Sequence, residues 1–179
     1  MNIEKLNIPG VMLIKNNVNK DHRGSFFKPY SYEELIQYDI NINIKEVFYS
    51  YSHKNVIRGM HFQIPPFDQE KIVNVVKGKI IDVLLDLRIK SDSYGKFISI
   101  ELTQNDGKSV YIPKGIAHGF LSISSYTIVL YMVNSKYSPN HDGGIRYDSF
   151  GYEWNVKNPI LSSRDLSFEN FDEFKSPFI

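Results

Sequence analysis

The run Lys71-Ile72-Val73-Asn74-Val75-Val76-Lys77-Gly78-Lys79-Ile80-Ile81-Asp82-Val83 carries the decisive local pattern of this chain. Residues that suit a pleated strand dominate both halves, and Lys77-Gly78 between them offers the positive φ of a tight turn. The reading is two strands joined as a β-hairpin. Outward from this stretch, short β-rich segments bounded by turn residues recur at 11–15, 45–52, 96–102, 109–112 and 127–133. A second turn falls at Asn105-Asp106-Gly107-Lys108, where Asp-Gly suits a primed turn. One short helix is predicted after Ser31, because Ser31-Tyr32-Glu33-Glu34 fits a capping box and Leu35-Ile36 follow as apolar residues. The tail beyond Trp154 is polar and reads as loop or a short helix packed on the rest. Many short strands with little helix imply an all-β jelly-roll barrel with a few short peripheral helices, a closure that removes exposed sheet edges.

A length of 179 residues suits one domain spanning 1–179, since chains of this size bury roughly 68 to 75% of their unfolded surface. No repeat, low-complexity linker or break in composition divides it, and Pro65-Pro66 is a loop between strands. Lys plus Arg number 21 against 20 Asp plus Glu, so a formal charge of +1 gives no bulk attraction to nucleic acid or to a membrane surface. Cysteine is absent, which excludes disulfides, thiolate metal sites and a cysteine nucleophile. The amino terminus lacks an uninterrupted apolar signal region and no segment approaches the ~20 apolar residues of a membrane span, so a cytoplasmic protein is expected.

The chemistry-bearing residues cluster on adjoining strand segments. Arg58-Gly59-Met60-His61-Phe62-Gln63, Lys71 and Pro113-Lys114-Gly115-Ile116-Ala117-His118 together supply a candidate base, a cation and a second imidazole. Removal of a proton beside a carbonyl needs such a kit: a base that works near neutral pH and a positive group where enolate charge develops. Taken alone, His61 reads as a satisfied structural histidine and Lys71 as a strand-end lysine reaching water. The Pro-x-Gly-x-x-His spacing at His118 raises a metal, but the pair it calls for is here His61-x-Gln63, and an amide is a poor transition-metal ligand; no metal is expected. Tyr131, in the middle of Ile128-Val129-Leu130-Tyr131-Met132-Val133, is either a core aromatic or a phenol that starts protonated and donates to a carbanion. Asp165 is a surface carboxylate unless the tail folds back to His61, where it would fix the imidazole tautomer. Arg23 and Arg58 each adjoin a glycine that would let a phosphate approach closely, against the alternative of a surface ion pair.

At these positions the chain resembles the dTDP-4-dehydrorhamnose 3,5-epimerase family, the RmlC-like epimerases of the cupin superfamily. The likeness runs from about residue 8 to 165. It is carried by Asp21-x-Arg23-Gly24-x-Phe26-Phe27, Asn55-Val56-Ile57-Arg58-Gly59-Met60-His61-Phe62-Gln63, Lys71-Ile72-Val73 and Ile80-x-Asp82-Val83. Further on it continues through Asp86-Leu87-Arg88, Ser93-Tyr94-Gly95, Ile112-Pro113-x-Gly115-x-Ala117-His118-Gly119-Phe120, Leu130-Tyr131, Tyr137-Ser138-Pro139 and Leu161-Ser162-x-x-Asp165. The resemblance implies a homodimeric cupin-type jelly roll, without metal or organic cofactor, that inverts C3, C5 or both in a nucleotide-diphospho-4-keto sugar. It further implies His61 as base, Asp165 as its partner, Tyr131 as acid and Lys71 as the cation near O4. His118, Arg23, Arg58, Phe26, Gln63 and Tyr137 then fall at substrate-contacting positions.

Four places depart from the family's pattern. Lys28 stands where a Glu is usual, Glu46-Val47-Phe48 replaces Gln-Asp-Asn, Asp142 replaces Glu, and Arg164 replaces Lys beside Asp165. These residues join the substrate-contacting set, and the first two groups contact thymidine in the family. The nucleotide is therefore left open between dTDP and another carrier such as GDP or CDP, on a hexose or heptose. A 3,4-ketoisomerase and a sugar-nucleotide-binding cupin without turnover are the competing readings.

Overall fold

Alternation of inward and outward side chains organises the strands of the two main sheets in the computed structural model, which describes residues 1–179. In chain order the strands are β1 (Asn2–Lys5), β2 (Met12–Lys15), β3 (Asn19–Asp21), β4 (Gly24–Phe26), β5 (Glu46–His53), β6 (Ile57–Gln63) and β7 (Lys71–Lys77). They continue as β8 (Lys79–Asp86), β9 (Phe97–Thr103), β10 (Lys108–Ile112), β11 (Ile116–Ser122), β12 (Tyr126–Val133) and β13 (Asp142–Gly144). Two four-residue helices, α1 (Tyr32–Leu35) and α2 (Ser163–Leu166), complete the set with two short 3-10 turns. Six strands form one sheet in the order β1-β2-β10-β7-β12-β5, five form a second in the order β13-β6-β11-β8-β9, and β3 and β4 pair as a separate ribbon. The architecture is the expected all-β jelly roll.

Three apolar layers follow from the alternation. Inward residues of both sheets, among them Val73, Val75, Ile80, Leu84, Val110, Phe120 and Val129, fill the space between them. Outward residues Met60, Phe62, Val83, Leu85 and Leu121 of the second sheet are covered by the carboxy-terminal segment through Ile145, Phe150, Trp154 and Phe178. Ile14, Ile72 and Met132 on the outer face of the first sheet are covered by Leu35, Ile40 and Ile42. Burial of each such aliphatic side chain is worth roughly 1.5 to 3 kcal/mol.

The two local turns are where expected, but their flanking strands are not partners. β7 pairs with β10 and β12, whereas β8 pairs with β11 and β9 in the opposite sheet. The Lys77-Gly78 turn is thus a corner between sheets and not a hairpin. Gly78 sits at φ 82, and a Cβ there would stand 2.4 Å from the carbonyl oxygen of Tyr126. Asp106-Gly107 likewise leads from β9 in one sheet to β10 in the other. Nothing local distinguishes a corner from a hairpin when both strands are apolar on both faces. Ser31 is the N-cap of α1 but makes no side-chain hydrogen bond, and Glu34 pairs instead with the Met1 amino group at 3.2 Å, so the capping box does not form. Asp86, fully buried, accepts from Arg88, Ser91 and Ser93 and so organises the loop from β8 to β9, away from the pocket described below.

Gly59 explains a second motif differently from the sequence reading. It has φ +133, and a Cβ would lie 2.4 Å from Cα of Gly119, where the β6–β11 register shifts between His118 and Phe120. The glycine answers this backbone contact and not the approach of a phosphate; Gly24, beside Arg23, meets nothing within 4 Å. Gly59→Ala is expected to destabilise the fold by more than about 2 kcal/mol in chemical denaturation, since strain and overlap act together.

Candidate active site

His61 on β6 and His118 on β11 are cross-strand partners of the second sheet, and both point inward. Lys71 on β7, Tyr131 and Val133 on β12, and Glu46 and Phe48 on β5 share the inward face of the first sheet, where Tyr131 pairs with Phe48 and Val133 with both Lys71 and Glu46. The two groups meet at one end of the barrel and line a cavity of about 260 Å³. A flat ring bound there has the His61 sheet on one side and the Lys71 and Tyr131 sheet on the other.

Asp165 reaches the rear of His61, so the folding back of the tail is realised. The Asp165 carboxylate accepts from His61 Nε2 at 3.0 Å, from the Ser162 hydroxyl at 2.9 Å and from the Gly59 amide at 3.1 Å. α2 presents it: Ser162 is the N-cap and its hydroxyl accepts from the Asp165 amide at 3.0 Å. The tail is anchored just before this point by Ile160, whose amide donates to Asn55 and whose carbonyl accepts from Ile57. Burial by itself would raise the Asp165 carboxyl, but the hydrogen bond and charge of His61, with the Gly59 and Ser162 donors, hold it below its ordinary value. An ionised carboxylate only accepts, so Nε2 of His61 carries a hydrogen, which in the neutral imidazole leaves the lone pair on Nδ1.

His118 repeats the arrangement. Its Nε2 lies 2.7 Å from Oδ1 of Asp82, a carboxylate on β8 with no exposed surface, whose Oδ2 has no partner in the chain. The sequence reading gave Asp82 no role. Its signal was a carboxylate at an inward position of an otherwise apolar strand. Tyr131 is 9% exposed; its ring stacks on Phe48 and its hydroxyl lies 3.3 Å from that of Ser50, another residue without an assigned role in the sequence. Burial pushes the phenol well above its ordinary value, so it stays protonated at neutral pH.

At the mouth, Asp142 accepts from the Tyr137 hydroxyl at 3.2 Å and from Arg164 at 2.6 Å, while Glu46 accepts from the Tyr137 amide at 3.1 Å. Arg58 is anchored by the Ser52 hydroxyl at 3.0 Å and the Tyr51 carbonyl at 2.9 Å, without an ion pair.

Four expected contacts differ. Gln63 borders the cavity, but its amide nitrogen donates to the carbonyls of Phe67 and Lys136 and its oxygen accepts from the Ser138 amide, so it ties loops together and has no donor left for a substrate. Arg23, Phe26 and Lys28 lie outside the cavity, on or just after the β3–β4 ribbon. Phe26 is 60% exposed, and Arg23 forms the surface ion pair with Asp21 at 2.6 Å. Within one chain these three do not reach His61. No group of three or more His, Cys, Asp or Glu side chains is gathered to hold a metal ion, and Nε2 of each pocket imidazole is taken by a carboxylate.

A family model described as dTDP-4-dehydrorhamnose 3,5-epimerase matches residues 5–173. A relative of that name from Shigella flexneri is 34% identical over 176 residues, covering 96% of this chain and 96% of its own. The crystal structure of a dTDP-4-dehydrorhamnose 3,5-epimerase from Sulfolobus tokodaii superposes with a TM-score of 0.92 at 35% identity, over 99% of this chain and 98% of that one. A Legionella pneumophila dTDP-6-deoxy-D-glucose-3,5-epimerase, solved in complex with dTDP-4-keto-L-rhamnose, superposes with a TM-score of 0.90 at 28% identity, over 97% and 94% of the two chains.

Lys71 is 7% exposed and has no ion pair or hydrogen bond in the chain. Burial lowers its ammonium from 10.5 to about 8, opposed by the charges of Asp142 and Asp82. Below about pH 8 the folded chain carries a buried ammonium that the unfolded chain holds in water, which opposes folding. Between about 8 and 10.5 the unfolded state binds the extra proton, so this residue makes stability rise with pH. Lys71→Met is therefore expected to raise stability at pH 7 by up to roughly 3 kcal/mol, an advantage that shrinks as pH rises through that window. Paired denaturation curves across pH check it.

Proposed function

The chain belongs to the dTDP-4-dehydrorhamnose 3,5-epimerase family, and on that footing we propose that it inverts both C3 and C5 of a dTDP-linked 4-keto-6-deoxyhexose. It is an isomerase acting on a nucleotide sugar in deoxysugar biosynthesis. The observation that carries the mechanism is the placement of His61, backed by Asp165 of α2, on one sheet and of Tyr131 with Lys71 on the facing one.

Nδ1 of His61 removes the proton from a carbon beside the C4 ketone. The electron pair moves to O4, where the Lys71 ammonium stabilises the enolate, a contribution of order 10²–10³ in rate for such a group. Tyr131 donates its hydroxyl proton to the opposite face of the same carbon, and solvent resets both residues. C3 and C5 flank C4, so one base and one acid serve both. Side chains alone account for these proton movements. His118 Nδ1 and Arg58 are assigned to the sugar and the diphosphate. Glu46, Tyr137, Asp142 and Arg164 form the mouth.

Arg23, Phe26 and Lys28 fit this reading if a second copy brings its ribbon to the pocket. β5 is an open edge of its sheet, with Val47, Tyr49 and Tyr51 exposed and Tyr126 beside them, which supports a homodimer. Residues 1–179 act as one domain. No helix is long and apolar enough to cross a membrane, and the charged substrate class favours a cytoplasmic site of action.

Incubation with dTDP-, GDP- and CDP-linked 4-keto-6-deoxyhexoses in D2O, followed by proton NMR, tests the reading. Deuterium is expected at C3 and C5 of the dTDP sugar; a migrated carbonyl would identify a ketoisomerase, and no exchange with any sugar would refute epimerisation. His61→Asn should lower exchange at both carbons by at least about 10³-fold. The kcat profile should fall above about pH 8 as Lys71 loses its charge. Sedimentation should give a dimer, with Arg23→Ala raising KM more than it lowers kcat.

A further inference from the structure

Tyr131 is held in place chiefly by one strand at the edge of its sheet. Phe48 of β5 lies directly opposite it in register, and the two rings stack with centroids 4.9 Å apart and planes 16° from parallel. Ser50, two residues further along the same strand face, supplies the hydrogen-bond partner of the phenol. On the remaining sides the ring meets the edge of His118, 6.0 Å away, and the strand of Val73. A hydroxyl pair at 3.3 Å is long for an O–H···O bond, which peaks near 2.7 to 2.8 Å, so it restrains the ring weakly. The stack supplies the missing restraint, since aromatic pairs add about 0.5–1.5 kcal/mol beyond burial and favour one orientation. Phe48 is nonetheless 46% exposed and borders the cavity, so its ring covers one face of the Tyr131 ring at the cavity wall.

We propose that Phe48 is a positioning residue for proton delivery: its ring fixes the Tyr131 phenol against the sugar face opposite His61 and keeps water from that face. The proposal rests on Tyr131 being the acid. In the inverting step the Tyr131 O–H bond breaks, a C–H bond forms with the electron pair of the enolate, and the phenolate regains a proton from solvent by way of the Ser50 hydroxyl. His61 gives up the abstracted proton to solvent. When the phenol is misplaced, the enolate is reprotonated from the His61 side. The carbon then exchanges its hydrogen without changing configuration.

The test compares solvent deuterium in recovered starting sugar with deuterium in inverted product, by NMR in D2O, for the wild type, Tyr131→Phe, Phe48→Ala, Phe48→Leu and Phe48→Tyr. Phe48→Ala and Phe48→Leu are expected to lower the ratio of inversion to exchange about tenfold, and Phe48→Tyr to restore it. Leu keeps apolar bulk without a flat face, so it separates stacking from loss of packing. An unchanged ratio in Phe48→Leu, or a raised KM with an unchanged ratio in Phe48→Ala, overturns the proposal. If Tyr131→Phe leaves the ratio unchanged, the assignment of the acid fails first, which distinguishes the two errors.

Discussion

Two facing sheets share a single interior, and each strand can place only every second side chain in it. That constraint sets where chemistry is possible. Over most of the interior the alternate positions are filled by Val73, Val75, Ile80, Leu84, Val110 and Val129, which need no polar partner. At one end the same alternation delivers His61, His118, Lys71 and Tyr131, of which the last three are buried and must be reconciled with removal from bulk water. The imidazoles are met by Asp165 and Asp82, the phenol stays neutral, and Lys71 bears the cost of burial through a lowered proton affinity. The candidate active site is the end at which polar side chains, instead of aliphatic ones, face the interior.

Most strands, and the inward direction of His61 with Met60 and Phe62 on the opposite face, follow from local sequence because a period of two is a local property. Pairing is not local. Gly78 and Gly107 mark real turns, yet the strands they join belong to different sheets, and no residue nearby records this. The same limit governs the site. Gln63 faces inward as a ligand would, but its amide nitrogen is taken by loop carbonyls, that of Phe67 four residues on and that of Lys136 73 residues on. Asp165 is an unremarkable carboxylate in a polar tail until the Ile160 contacts bring it under His61; only the family likeness pointed to it. Asp82 was visible as a misfit in an apolar strand, and its meaning required the strand opposite.

The residues that leave the family's pattern share a mechanical context. His61, Lys71, His118 and Tyr131 lie on strands paired on both sides. Glu46 and Phe48 lie on β5, paired only with β12, and Lys28 follows an exposed ribbon. An edge strand passes a change of side chain to one neighbouring strand only, β12 in the case of β5, whereas a central strand passes it on both ways. Fixed chemistry on central strands and variable contacts on edges is the division such a framework allows.

The corner at Gly78 also shapes how the chain reaches this structure. Because β7 and β8 separate at once, as do β9 and β10, the six-stranded sheet is not built by zipping up neighbouring segments, apart from β1 with β2. β12 must find β5, bringing together groups such as Ser50 and Tyr131 that are 81 residues apart. Chain entropy is surrendered before those contacts return free energy, so folding is expected to be slow for the size of the chain and to pass through states with bare strand edges. The order of the strands, and not the strength of the core, then sets how long those edges stay open to other chains.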